Sequence, residues 1–269
     1  MKYCRFVLNG RTHYGQVEDR NGEPWIVGPA PVPEEDLAYR LENQGAVARS
    51  FDPMPLSKAE LLAPVTPSKL VCVGRNYHDH IKELHNDVPT EPMLFFKPLS
   101  SLLAPGGAVV LPSVCERVDF EGELVLVVGK RVRNLKADGD WRSVLRGYTL
   151  ANDISSRDLQ KKEAQWARAK GFDTFCPIGP IVSDELDLEA GVTLETRVNG
   201  EVRQHGTTRD FIFDIPVLLE AITRAMTLEP GDVILTGTPA GVGPLKPGDR
   251  VEVSIEGLGT LANPVVAEN

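Results

Sequence analysis

The run Asp119-Phe120-Glu121-Gly122-Glu123 leads directly into Leu124-Val125-Leu126-Val127-Val128. Read as one strand over 118–128, residues i and i+2 share a face, which puts Asp119, Glu121 and Glu123 on the same side. From Leu124 onward both faces are apolar, the pattern of a strand covered on both sides. Carboxylates entering such a strand repel one another and lose solvation, so something must compensate them. A hard divalent cation does so through oxygen ligands, which suit Mg²⁺, Mn²⁺ or Ca²⁺. An exposed strand entrance, with the acids paired to Arg117 or Lys130, would do so without a metal.

Tyr148-Thr149-Leu150-Ala151-Asn152-Asp153 reads as a second strand ending in an acid, and that carboxylate could supply a third ligand. The Ser155-Ser156 that follows also fits Asp153 as a helix cap. Lys170 precedes Gly171, the signature of a surface turn; near a metal, the same lysine could steady a substrate carboxylate or enolate oxygen. His80 and Glu83 stand three apart in a stretch, 78–85, that could form a short helix. There Glu83 would orient the imidazole and raise its basicity. Such a pair suits a general base that activates water, although exposed helices carry similar pairs with no chemistry attached. A glycine-rich loop, Thr236-Gly237-Thr238-Pro239-Ala240-Gly241, follows the apolar run Val233-Ile234-Leu235. It lacks the spacing of phosphate and dinucleotide loops, so backbone amides holding a carboxylate or an enolate are the better reading.

The elements that must position these groups are mostly short strands, expected at 70–73, 93–96, 108–111, 148–153, 192–198, 232–235 and 250–255. Besides the short 78–85 stretch, helical patterns fall at 140–146, 157–167 and 215–225. Many strands with few helices predict a mixed β-rich (α+β) fold rather than a regular β-α-β alternation. Near the start, a strand over 2–8, the hairpin signal Asn9-Gly10 and a return strand over 12–17 form a small β-rich unit; Asn199-Gly200 marks another hairpin. Prolines between 53 and 67 mark a boundary, giving a small N-terminal domain at 1–65 and a larger one at 66–269.

The 269-residue chain carries a net charge of −9, which argues against nucleic acid or an anionic membrane as partner. The densest basic run, Lys130-Arg131-Val132-Arg133, reads as a solvated turn. Cys4, Cys72, Cys115 and Cys176 form no C-x-x-C pair, which fits reduced structural thiols. The first residues lack the apolar core of a secretory signal, and the longest uncharged stretch, 98–115, is interrupted by Pro105, Gly106, Gly107 and Pro112. A cytoplasmic protein is the expectation.

In sequence order, Gly74-Arg75-Asn76-Tyr77 with His80, Phe96-Lys97-Pro98, Glu121-x-Glu123, Asn152-Asp153, Arg157-Asp158-x-Gln160, Lys170-Gly171-Phe172-Asp173 and Leu235-Thr236-Gly237-Thr238-Pro239 resemble the motifs of the fumarylacetoacetate hydrolase family. The resemblance spans about residues 69–265. It implies a distorted β-sandwich or barrel-like core of mixed sheets around a central active site, preceded by the small extra domain of the longer bacterial members. It also implies a homodimer, and Mg²⁺ or Mn²⁺ held by Glu121, Glu123 and Asp153. His80 and Glu83 match the family's catalytic dyad on a lid, while Gln160, Lys170 and Thr238 match substrate-contacting positions. Arg75, Tyr77 and Lys97 are candidate contacts to the substrate tail.

The implied substrate is a small 2-oxo or 2,4-diketo acid that chelates the metal through its carboxylate and keto oxygens. With an acylpyruvate or fumarylpyruvate, water activated by His80 would attack the distal carbonyl, and carbon–carbon cleavage would leave an enolate steadied by the metal and Lys170. This hydrolysis is the first expectation, because an oriented base is most needed where water attacks. A 2-hydroxyhepta-2,4-diene-1,7-dioate (5-carboxymethyl-2-hydroxymuconate) isomerase of aromatic catabolism, or an oxaloacetate decarboxylase, would pass through the same enolate. A non-catalytic metal-binding protein would use the carboxylates but have no need of His80, Glu83 and Lys170.

Overall fold

The computed structural model describes residues 1–43, 50–83 and 87–268. The strand Gly122–Val128 is buried along its whole length, and its two faces serve different cores. Leu124, Leu126 and Val128 pack with Leu194, Val253, Ile255 and Leu261, and with Leu218, Leu219 and Ile222 of the helix Ile215–Ala225. Val125 and Val127 turn the other way, toward Leu70, Cys72, Cys176, Ile178 and Tyr14. This two-sided burial is the physical source of the unbroken apolar run.

Gly122–Val128 lies between Leu145–Asn152 and Val233–Leu235 in a 12-stranded sheet whose path runs from Met54–Pro55 at one edge to Met93–Lys97 at the other. A five-stranded sheet from Glu201–Thr207 to Val109–Leu111 packs against it, and a three-stranded one joins Ser155–Ser156, Val118–Phe120 and Gly243–Pro244. The architecture is therefore β-rich, with mixed sheets, few helices and no closed barrel. Lys2–Leu8 pairs with Cys176–Ser183 through Lys2↔Ser183 and Tyr3↔Val182, and an Arg146–Glu35 ion pair reinforces that junction. Among the described residues no helix is long and apolar enough to cross a membrane.

Several expectations hold in detail. Asn9-Gly10 and Asn199-Gly200 form tight hairpin turns with positive φ at both residues, as the favoured two-residue connection requires. Ile215–Ala225 is a helix whose first turn is capped by Asp214, which accepts from the Val217 N–H at 3.1 Å. The helix at His78–Glu83 is present, and the rest of the stretch expected to 85 lies outside the described residues.

Others are corrected. The strand expected over 118–128 is two strands, Val118–Phe120 and Gly122–Val128, in different sheets. The chain changes sheet at Glu121 because its N–H donates to Asn152 Oδ1 at 2.9 Å, while its carbonyl accepts from the Asp153 N–H at 2.8 Å. The helix expected at 140–146 is a single 3₁₀ turn, Arg142–Val144, because Leu145 onward pairs with Val128, Val127 and Leu126 in the sheet. The helix expected at 157–167 divides into Arg157–Lys162 and Ala167–Gly171. Lys161, Lys162 and Glu163 leave no apolar stripe between Leu159 and Trp166 to hold one continuous helix against the core. Asp153 caps no helix: Ser155–Ser156 is a short strand, and Ser156 takes the cap position before Arg157.

Gly122 makes the sheet change possible by leaving room for its neighbours. A Cβ there would sit 2.2 Å from Thr196 Oγ1 and 3.1 Å from Val253 Cγ1, inside the packed junction of two sheets. Gly122→Ala is expected to cost about 2–3 kcal/mol through overpacking. That corresponds to a fall in thermal midpoint of roughly 5–10 °C by calorimetry; an unchanged midpoint would show that the junction yields freely.

Candidate functional site

The break at Glu121 and the pairing Gly122↔Asn152 bring two strand ends together. Donor oxygens of Glu121, Glu123 and Asp153 lie within 4.8 Å of one another, and all three residues are at most 4% exposed. Asp119 stands apart from this group. It is gripped by Arg117 Nε at 2.8 Å and Arg157 Nε at 2.9 Å. The exposed-entrance alternative therefore describes Asp119's partner Arg117 but not the setting of the acids, which are buried; Lys130 is exposed beyond the far end of the strand.

Cations meet the three acids unevenly. Lys170 Nζ lies 2.6 Å from Glu121 Oε2 and 2.5 Å from Asp153 Oδ2. Lys97 Nζ lies 2.6 Å from the other Asp153 oxygen, and Arg157 Nη2 2.6 Å from Glu121 Oε1. Among the described residues Glu123 receives only the Gly237 N–H, at 2.7 Å. Burial opposes ionisation of Glu121, but Lys170 and Arg157 outweigh it and hold that carboxyl well below its usual range. Burial, joined by the charges of Asp153 and Glu121, pushes Glu123 well above its usual range. For Lys170, burial is outweighed by Asp153 and Glu121, which raise it and keep the ammonium charged.

The donor chemistry fits a hard divalent cation. All donors are carboxylate oxygens, and the one acid without a cationic side chain sits beside the other two. Such an ion would supply the charge that Glu123 lacks. Lys170 is accordingly an interior cation at the end of the helix Ala167–Gly171, not a surface turn.

His80 and Glu83 face the same cavity, with His80 Nδ1 3.4 Å from Glu83 Oε2. The Gly241 N–H lies 3.1 and 3.2 Å from the two Glu83 oxygens. Burial opposes ionisation of Glu83, but His80 and the Gly241 amide lower it below its ordinary value. Glu83 is thus an anion able to orient Nδ1–H and leave Nε2 available as a base. The glycine loop does hold carboxylates with its amides, but they are the protein's own, Glu123 and Glu83.

The cavity encloses about 420 Å³. Arg75, Gln160 and Thr238 line it together with the acids, Lys170 and the His80–Glu83 pair. Gln160 Oε1 accepts from Arg157 Nη1 at 2.9 Å, which leaves its amide N–H groups for a ligand. Thr238 Oγ1 donates to Gly122 O at 2.8 Å and accepts from Gln204 Nε2 at 2.7 Å, so it braces the Glu-Gly-Glu segment from within the wall. Two expected substrate contacts lie elsewhere. Lys97 is buried behind Asp153, and Tyr77 packs edge-on against Phe211 with ring centroids 5.0 Å apart.

The sequence reading missed Arg157 as a counter-ion, Asn152 as the residue that turns the chain at Glu121, and Trp166 as a cavity wall. Arg157 had a signal, a cation four residues beyond the strand-end acid. Gln204, in the middle of an ordinary strand, had none.

If the three carboxylates hold a cation, millimolar Mg²⁺ or Mn²⁺ should stabilise the fold. A concentration near one hundred times the dissociation constant is worth about 2.7 kcal/mol. Glu123→Gln, which keeps the shape and removes the charge, should abolish that gain in calorimetric scans with and without metal. A wild-type midpoint indifferent to both ions would contradict the assignment.

Residues 69–266 match the family model for the fumarylacetoacetate (FAA) hydrolase C-terminal region. Human mitochondrial oxaloacetate tautomerase FAHD2A is 44% identical over 233 residues, covering 82% of this chain and 74% of that protein. The crystal structure of a 5-carboxymethyl-2-hydroxymuconate delta-isomerase from Mycobacterium smegmatis is 38% identical and superposes with a TM-score of 0.85, each chain covered in full. That of a fumarylacetoacetate hydrolase from Exiguobacterium antarcticum is also 38% identical, with a TM-score of 0.82 and the same full coverage. With three quarters of its length matched and its whole architecture shared, this chain belongs to the fumarylacetoacetate hydrolase family.

Proposed function

We propose that the protein moves a proton at the carbon beside the keto group of a 2-oxo acid, interconverting keto and enol or isomerised forms. The observation that carries this reading is an imidazole with a carboxylate oxygen 3.4 Å from its Nδ1, facing a buried acid–lysine cluster across one cavity. Relatives named as an oxaloacetate tautomerase and a muconate-type isomerase support it, since both names denote movement of hydrogen without loss of atoms.

Mg²⁺ or Mn²⁺ held by Glu121, Glu123 and Asp153 would supply Lewis-acid polarisation of the 2-oxo acid. The chain's own residues do the rest. With Glu83 beside Nδ1 of His80, Nε2 takes the proton from the substrate carbon and delivers it to the enolate oxygen, which gives the enol, or to a more distant carbon of the conjugated chain, which gives the isomer. As that proton leaves, its electron pair moves onto the keto oxygen, where the Lys170 ammonium offers a fixed positive charge in a buried setting. Gln160 presents amide donors to the substrate carboxylate.

A second reading, hydrolytic carbon–carbon cleavage of an acylpyruvate or fumarylpyruvate, is favoured by the same dyad. His80 would take a proton from water, the hydroxyl would add to the distal carbonyl, and the bond to the pyruvoyl carbon would break with its electron pair passing to the enolate. The full-length likeness to a fumarylacetoacetate hydrolase structure supports it. Decarboxylation of oxaloacetate would reach the same enolate without a water nucleophile. The family reading also carries a homodimer, which sedimentation velocity of the purified chain checks, and a cytoplasmic setting.

Exchange of the substrate's C3 hydrogens for deuterium, followed by NMR with oxaloacetate and acetylpyruvate in the presence of Mg²⁺, separates these readings. Proton transfer predicts enzyme-dependent exchange with both carbon skeletons intact, slowed about 10²–10⁴-fold in His80→Asn. Appearance of acetate and pyruvate from acetylpyruvate would select the hydrolase, and a His80→Asn rate equal to wild type would remove His80 from the chemistry.

A further inference from the structure

One loop holds a carboxylate from each half of the site. Within 236–241 the Gly237 N–H donates to Glu123 Oε2 at 2.7 Å, and the Gly241 N–H lies 3.1 and 3.2 Å from the two Glu83 oxygens. Glu123 belongs to the acid cluster and Glu83 to the His80 pair. The register between the two halves therefore depends on where this loop sits. Its first residue is tied to the central strand, because the N–H and the hydroxyl of Thr236 both donate to Leu124 O, at 3.1 and 2.8 Å. Its middle contains Pro239, which has no N–H to give.

That middle is pinned from behind by Gln204, which is 1% exposed and is not among the residues that line the cavity. Gln204 Nε2 donates to Thr238 Oγ1 at 2.7 Å and to Pro239 O at 2.8 Å, while Oε1 accepts from the Gly122 N–H at 3.0 Å. Thr238 Oγ1 donates in turn to Gly122 O at 2.8 Å, which closes a ring around the residue between Glu121 and Glu123. The partners fix the amide's orientation. Turned over, it would set a donor against the Gly122 N–H and an acceptor against Pro239 O.

The strand Glu201–Thr207 lies at the edge of the five-stranded sheet, and its register moves by one beside Gln204. Thr196 pairs with Gln204 but Arg197 pairs with Val202, so Arg203 is an extra residue on this strand. Such an insertion re-aims the side chains next to it. Here Gln204 turns inward while Val202, Arg203 and His205 are exposed. The loop rests directly on this strand. Gly241, at φ 100°, leaves no room for a Cβ against the Arg203 carbonyl, and a Cβ on Gly206 would lie 2.5 Å from Pro239 Cβ.

We propose that Gln204 is a positioning residue for both halves of the site. Through Thr238, Pro239 and Gly122 it sets the loop so that Glu123 meets the cation and Glu83 meets His80 in one register. The inference rests on the proton-transfer reading for its effect on rate and on the cation assignment for its effect on affinity. Residues behind metal ligands commonly change affinity or activity about 10–100-fold when they are lost. Gln204 differs in that one side chain reaches, through one loop, both the acids and the carboxylate beside the base.

Two measurements on the same variants test this. Titration of the protein with Mn²⁺, followed by the EPR signal of the free ion, reads affinity without turnover; C3 exchange of oxaloacetate at saturating Mg²⁺ reads rate. Gln204→Met keeps the side chain's length and removes its three hydrogen bonds. It should weaken Mn²⁺ about 10–100-fold and lower kcat for exchange by a similar factor, with KM nearly unchanged. Gln204→Asn, an amide one methylene shorter, should keep part of both. Thr196→Val is the control for mere disturbance of the junction: Thr196 is fully buried opposite Gln204, and its Oγ1 has no hydrogen-bond partner among the described residues. It should match wild type in both readouts. Wild-type affinity and kcat in Gln204→Met, a loss confined to KM, or an equal loss in Thr196→Val would overturn the proposal, as would a wild type that binds no Mn²⁺. If Gln204→Met does not fold, Gln204→Asn against Thr196→Val decides the same question. A wild type that binds Mn²⁺ without exchanging C3 hydrogens would end the proton-transfer reading, and the Mn²⁺ titrations would still decide whether Gln204 positions Glu123.

Discussion

One ammonium group organises the interior of this protein. Lys170 Nζ stands between Glu121 and Asp153, 2.6 and 2.5 Å from their oxygens, with all three residues buried. Removing either partner from such a pair leaves an uncompensated buried charge, typically a loss of about 3–5 kcal/mol. The pair can form only because the chain changes sheet at Glu121, because Asn152 receives the displaced backbone N–H, and because the helical segment after Arg157 breaks before Ala167. Each of these departures from regular structure turns a charged side chain inward. Lys97 and Arg157 then complete the compensation of Asp153 and Glu121, and Glu123 is left with one backbone donor. That imbalance is what would let the cluster take up a cation rather than close as a salt-bridge network.

The base and the cluster are built on separate elements. His80 and Glu83 belong to a short helix between the strands Leu70–Gly74 and Met93–Lys97, and Glu83 is tied to the loop amide of Gly241. The acids stand on the central strands of the large sheet. In the function proposed above, one part of this divided site would stabilise charge on an oxygen and the other would move a proton. Relatives named for tautomerisation, isomerisation and hydrolysis share this architecture, as expected when the enolate end is fixed and the remainder of the cavity varies.

Much of this was legible in the sequence, for identifiable reasons. The i, i+2 spacing of Glu121 and Glu123 survives the strand break, because the break falls at Glu121 itself and leaves Glu123 on the intact strand. Asn-Gly hairpins and the capped, amphipathic 215–225 helix are local features, and local features are read well from sequence. The change of sheet at Glu121 was not legible, because alternation looks the same whether a strand continues or passes to a neighbouring sheet. The helix expected at 140–146 failed because long-range pairing with Val128 and Val127 overrode local propensity. Lys97 and Tyr77, expected as substrate contacts from their motif positions, are not among the residues that line the cavity: Lys97 pairs with Asp153 and Tyr77 packs against Phe211.

The most direct test of the central claim is the anomalous difference map of a crystal soaked in Mn²⁺. The charge distribution predicts one strong peak in the buried cavity, within coordinating distance of Glu121, Glu123 and Asp153 and with Lys170 still inside the cluster. A map with no peak there, or one with Mn²⁺ only on surface acids, would mean that the lysines alone satisfy the three carboxylates, and the cation site would be withdrawn.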